Sequence, residues 1–261
     1  MIRKILKNSY LALILLFTYI PILVMVVLSF NESKSRVNFT GFSLKWYQQM
    51  FSDRNIVSAL QNTIFIAIFS SIIAVIIGTM AAVAISNMPK KTRNVYLGVT
   101  NIPLLNADIV TGISLMVCFA ASGKILGFEL SIWTVIFAHI TFNIPYVILS
   151  VMPKLKGASQ QEYHAARDLG ATSTQAFFKV VLPEIMPGIV SGFMLAMTMS
   201  LDDFIITHFT KGKGINTIST LVYSTQKRGL NPSLYALSTI LFAIVLVILI
   251  VTNLVANRKE D

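Results

Sequence analysis

Six long apolar stretches, near residues 10–29, 57–86, 95–121, 131–152, 188–210 and 234–257, alternate with shorter polar segments along the 261 residues. Each reaches the ~20 apolar residues that a helix needs to cross a hydrocarbon core about 30 Å thick. The runs are continuous. Barrel strands would instead read as alternating segments of about 10 residues. Helices also satisfy their own backbone hydrogen bonds where lipid offers no partner. The pattern predicts an all-α integral membrane protein of six transmembrane helices. Its expected parts are a first helix and outer loop over 1–56, a core over 57–257, and a polar loop over 153–187 between the fourth and fifth spans.

That loop carries a pattern of its own. Pro153 is expected to end the fourth span, because proline cannot continue the helical hydrogen-bond ladder. A short helix is predicted from about Ser159 to Leu169, with Ser159 capping its start and Gly170 supplying the left-handed residue that ends it. Thr172 with Gln175 three residues later predicts the capping box of a second helix. Pro183 and Pro187 are then expected to break the path into the fifth span. The small side chains of Ala165 and Ala166 let another backbone approach closely. An ordinary amphipathic loop on the membrane surface would explain a helix here, but not the joint spacing of Ala-Ala, Gly and Leu-Pro.

Composition agrees with lipid as solvent: 55% of residues are hydrophobic and 12% charged, where soluble domains carry roughly a quarter charged. The net charge of +10 is read as basic residues at span ends, where they set orientation and meet anionic head groups. No aromatic–basic patch points to nucleic acid. Arg3, Lys4 and Lys7 precede the first span, and Lys90, Lys91 and Arg93 lie between the second and third. The positive-inside rule then places both termini and the 153–187 loop in the cytoplasm, and segments 31–56 and 211–233 outside. The first run resembles a signal peptide but is too long, with no small-residue cleavage site before Asn31, so it reads as an uncleaved helix. Cys118 is the only cysteine. It is expected to serve as a small buried hydrophobe.

The segment His164-Ala165-Ala166-Arg167-Asp168-Leu169-Gly170, nine further residues, then Val180-Val181-Leu182-Pro183 resembles the EAA loop of ATP-binding-cassette importer permeases. His164 stands where that consensus has Glu, and Glu162 lies two residues earlier. Four further stretches resemble the PotC-type permeases of spermidine/putrescine importers: Phe42 to Tyr47, Asn62-Thr63, Asp108 to Leu115, and Ser200 to Phe204. The resemblance covers nearly the whole chain and implies the type I importer permease (MetI-like) fold in a bacterial cytoplasmic membrane. It implies as partners a second permease subunit, two ATPase subunits that bind ATP and Mg, and an external polyamine-binding protein. By the same resemblance Glu162, His164, Ala165, Ala166, Arg167 and Gly170 form the surface gripped by the ATPase.

Polyamines are flexible polycations, and a path for them needs negative charge and aromatic faces. Carboxylates within a membrane are costly and usually face a cavity. Asp108, Asp202 and Asp203 all fall within apolar spans, each roughly 20 Å from the inner end at 1.5 Å per residue. Neighbours on a helix point about 100° apart, so Asp202 and Asp203 are not expected to share one target; one can bond to a neighbouring helix. A single aspartate could instead cap a broken helix or pair with a Lys or Arg on another span, but no span has an obvious intramembrane cation, which favours the pathway reading for at least one of them. Trp46 could offer a cation–π face or sit as an interfacial aromatic; Tyr223 has the same two readings. His139 and His208 lack metal-site spacing and read as structural. Gly78, Gly112 and Gly192 are expected to allow close helix packing. The chain has no phosphate-binding loop, so ATP hydrolysis is assigned to a partner. The rivals are a permease for another cationic solute, a proton-coupled secondary transporter, and, more remotely, an intramembrane enzyme.

Overall fold

The computed structural model describes residues 2–34, 38–155, 158–226 and 232–257. Among them all extended regular structure is helical, and strand pairing is confined to one bridge between Asn31 and Phe42. In chain order the helices are α1 (Ile2–Ser29), α2 (Lys45–Ser52), α3 (Arg54–Ser86), α4 (Lys90–Leu105), α5 (Asp108–Leu126), α6 (Ile132–Leu155), α7 (Ala158–Asp168) and α8 (Ser173–Ala176). A π-helical turn (Phe177–Val181) leads into α9 (Leu182–Asp202). Then come α10 (Ile205–Thr210), α11 (Ile218–Gln226) and α12 (Pro232–Asn257). Among the described residues five stretches are long and apolar enough to cross a membrane: Tyr10–Ser29, Arg54–Ser86, Asp108–Leu126, Ile132–Leu155 and Ser173–Asp202. Within α12, Pro232–Val247 forms a shorter apolar helix. The side chains of Arg3, Lys4 and Lys7 lie outside the described residues.

The chain divides into two compact units, Met1–Val57 with Leu221–Leu246, and Ser58–Thr220 with Val247–Asp261. In that first unit, the end of α1 and the start of α2 are held by Phe30, which stacks on Phe42 and packs at a tilt against Tyr47. The Ser29 hydroxyl meets the Tyr47 hydroxyl at 2.8 Å.

The second unit is built on α6, whose broadest helix contact is with α9. Its core joins Ala82 and Ile85 of α3, Val147, Ile148 and Val151 of α6, and Ile185 and Ala196 of α9. Two glycines let backbones meet there. A Cβ on Gly78 would fall 2.8 Å from that of Val147, and one on Gly188 would fall 2.9 Å from the Ser150 carbonyl oxygen. Asn62 donates to the Asn216 carbonyl at 3.0 Å, and the Ile218 amide donates to the Thr63 hydroxyl at 2.9 Å, tying α3 to the segment entering α11.

Several expectations are corrected. The predicted third span, 95–121, is two helices, because Asn106 and Ala107 are extended. The fifth, 188–210, breaks at Asp203, which is also extended. Pro153 does not end its helix, since α6 runs on to Leu155. Pro183 and Pro187 leave the helical path unbroken. The Leu182 N–H bonds to the Phe177 carbonyl five residues back, so the π turn runs directly into α9, and Pro183 is accommodated at its second residue. Cys118 is exposed rather than buried, because only Gly112 and Gly123 of α5 are buried.

Candidate functional site

Both helix breaks fall at aspartates singled out by the sequence. Asp108 is the first residue of α5, after the extended pair Asn106–Ala107, and sits in a first turn where an acidic side chain is favoured by the exposed N–H groups. Asp202 ends α9. A cavity of about 310 Å³ is lined by Asp108, Asp202 and Asp203 together with the aromatic rings of Phe142, Tyr146 and Phe204. Three aspartates up to 95 residues apart in sequence therefore line one cavity. Broken backbone at membrane depth is tolerated where it lines such a cavity.

The aspartates are not equivalent. Asp108 and Asp202 are exposed. Asp203 turns the other way and caps α10. Its Oδ1 accepts from the Ile206 amide at 3.1 Å, and its Oδ2 accepts from the Thr207 amide at 2.8 Å and the Thr207 hydroxyl at 2.7 Å. The buried His139 of α6 places Nε2 3.4 Å from Asp203 Oδ2. The open charge of the cavity is thus carried by Asp108 and Asp202. Sequence spacing names no cation for Asp203 and no partner for His139; the structure pairs them.

The cation–π reading of Trp46 is corrected. The residue is 1% exposed, and its indole N–H donates to the Asn31 carbonyl. The Lys45 ammonium of the same chain lies 5.5 Å from its ring centroid. It is a buried anchor of the first unit, with no open face for a ligand. Tyr223 is half-exposed. His208 stacks on Phe204.

A second site forms at the elbow between α7 and α8. The α7 helix opens at Ala158, one residue before Ser159, which is therefore inside the helix rather than its cap. Its end follows the Schellman pattern: Gly170 has φ +91°, its N–H bonds to the Arg167 carbonyl, and the Ala171 N–H bonds to the Ala166 carbonyl. Arg167 also donates to the Ala171 carbonyl at 3.0 Å. Thr172 and Gln175 form the reciprocal capping box of α8. Glu162, His164, Ala165 and Arg167 are exposed and Ala166 is half-buried. Leu169 at the tip is 90% exposed. The Glu162 carboxyl meets that of Glu184. A groove of about 310 Å³ runs between the end of α3 and this elbow, lined by Asn87, Leu155, Tyr163, His164, Ser173 and Phe177 among others. The π turn, which sequence patterning missed, forms part of its wall. Among the described residues no group of three or more His, Cys, Asp or Glu is placed to hold a metal ion.

Comparison with known proteins bears on both sites. Residues 74–260 match the family described as binding-protein-dependent transport system inner membrane component. The chain is 34% identical over 259 residues to the spermidine/putrescine transport system permease protein PotC of Escherichia coli K12, covering 99% of this chain and 97% of that protein. It is 37% identical over 235 residues to the putrescine transport system permease protein PotI of the same organism, covering 88% and 83%. In structure it resembles a chain of a bacterial ABC transporter that imports the acidic polysaccharide alginate, with TM-score 0.73 at 15% identity, covering 100% of this chain and 97% of that one.

Proposed function

The chain belongs to the family of binding-protein-dependent transport system inner membrane components, and from that premise we propose that it forms half of an import pathway for polyamines. A multi-pass permease subunit of this kind is not itself an enzyme. The observation that carries the cargo assignment is the cavity where Asp108 and Asp202 stand open among Phe142, Tyr146 and Phe204. Ammonium groups bind carboxylates through charge-assisted hydrogen bonds and rings through their negative faces. A diamine or triamine presents several such groups on a flexible chain. The names of the relatives, permeases of spermidine/putrescine and putrescine systems, support the same reading.

In this proposal six spans cross a bacterial cytoplasmic membrane with both termini inside. The 153–187 segment faces the cytoplasm, and a second, related permease supplies the other half of the path. An external polyamine-binding protein delivers cargo. Two ATPase subunits, which hold ATP and Mg, seat against the elbow through Glu162, His164, Ala165, Ala166, Arg167 and Gly170. The Schellman turn makes that elbow a rigid lever, because its last carbonyls are tied within the chain rather than to water. ATP binding closes the ATPases, the elbow moves with them, and α6 and α9 carry the motion through their packed core to the aspartate cavity. Cargo enters from the binding protein, and hydrolysis returns the pore to face inward.

The deciding experiment is uptake by the complex reconstituted in proteoliposomes with its ATPases and binding protein. Labelled spermidine or putrescine should accumulate only with internal ATP. Accumulation of choline with neither polyamine would assign the cavity to another cation. Uptake abolished by a protonophore while ATP is maintained would favour a proton-coupled carrier.

A further inference from the structure

Beside the aspartate cavity, six polar side chains from four helices form one buried network. They are Ser70 of α3, His139 and Asn143 of α6, Ser200 of α9, and Asp203 and Thr207 at the start of α10. His139 Nδ1 lies 3.1 Å from the Ser200 hydroxyl and Nε2 lies 2.9 Å from the Thr207 hydroxyl. Asn143 donates to Ser200 Oγ at 2.8 Å, and the Ser70 hydroxyl meets that of Ser200 at 3.2 Å.

The proton inventory fixes the direction of one contact. Thr207 has one hydroxyl proton, and it is given to Asp203 Oδ2. Toward His139 the Thr207 oxygen can therefore only accept, so Nε2 carries a proton in either charge state of the ring. That same N–H faces Asp203 Oδ2 at 3.4 Å. Asp203 is thereby enclosed by four N–H or O–H groups: the Ile206 and Thr207 amides, the Thr207 hydroxyl and the His139 imidazole. Neighbouring Asp202 remains open to the cavity.

We infer that His139 is a positioning residue for transport: it holds Asp203 as the cap of α10 across the break in the fifth span, and so leaves Asp202 as the carboxylate presented to cargo. This inference rests on the import function proposed above. Removing the imidazole leaves Asp203 Oδ2 one donor short, and an under-paired buried carboxylate is unfavourable, whereas replacing both members of such a pair is often tolerated. The pair is therefore testable as a cycle. His139→Leu should lower uptake at least tenfold. His139→Gln, which can restore a donor near the Nε2 position, should keep uptake within about threefold of wild type. His139→Leu with Asp203→Asn should recover most of the loss, because asparagine still caps α10 and no charge is stranded.

Uptake is read beside the yield of assembled complex. If His139→Leu alone fails to assemble, recovery of assembly in the double variant supports the inference, and failure to recover overturns it. It is also overturned if His139→Leu transports within twofold of wild type, or if His139→Gln is as impaired as His139→Leu. A wild-type complex that imports no polyamine defeats the proposed function instead, and is recognised before any variant is made.

Discussion

Asp202 closes α9 and Asp203 is extended just beyond it, so the two side chains part at the helix end. One carboxylate faces open space and the other faces backbone amides. Truncating each should therefore have different consequences. Asp108→Asn and Asp202→Asn each remove a charge-assisted contact worth roughly 1.5–3 kcal/mol. Uptake at sub-saturating polyamine should fall at least tenfold with assembly unchanged. Normal uptake by both variants would take these residues out of the pathway. The aspartates were legible in the sequence because charge inside an apolar run is expensive and so conspicuous. The division of labour among them was not. His139 lies 64 residues before Asp203, and no local spacing announces a contact made by two helices folding together. Trp46 misled for a related reason: an aromatic near a span end reads alike whether its ring faces head groups or, as here, its N–H closes on Asn31.

Elements were legible where the signal is local. The capping box at Thr172–Gln175 and the glycine ending α7 involve residues three to five apart, and both form as their chemistry dictates. A Cβ added to Gly170 would meet nothing within 4 Å, so crowding is not the constraint on this position. Its φ of +91° is, and a side chain in the left-handed region costs roughly 1–2 kcal/mol. Gly170→Leu should therefore loosen the elbow and uncouple the ATPases, with substrate-stimulated ATP turnover lost while the complex still assembles. Stimulation at the wild-type level would remove the elbow from the drive train. Helix breaks were poorly legible. Two extended residues, Asn106 and Ala107, vanish inside a hydropathy window of about 19 residues. Prolines misled in the opposite sense. Pro153 stands in the last turn of α6, where it forfeits a single rung near the helix end, and Pro183 follows directly on the π turn at the start of α9.

On the scale of the whole molecule, much apolar surface lies uncovered. Residues 10–21 of α1 are all exposed, α4 buries no residue, and Val95, Val99, Ile109 and Val117 are all exposed. Lipid and partner subunits account for surface of this kind, as expected for one member of an assembly. Omitting the ATPase subunits from proteoliposomes should abolish polyamine uptake altogether. Uptake at full rate without them would refute the coupled scheme. A consequence follows from where the two open carboxylates are mounted. Asp108 belongs to the first turn of one half-helix and Asp202 to the last turn of another. A cargo molecule long enough to touch both is a tether between two ragged ends, and its own reach becomes a ruler. Any rearrangement that parts those ends loosens the tether without altering either anchor.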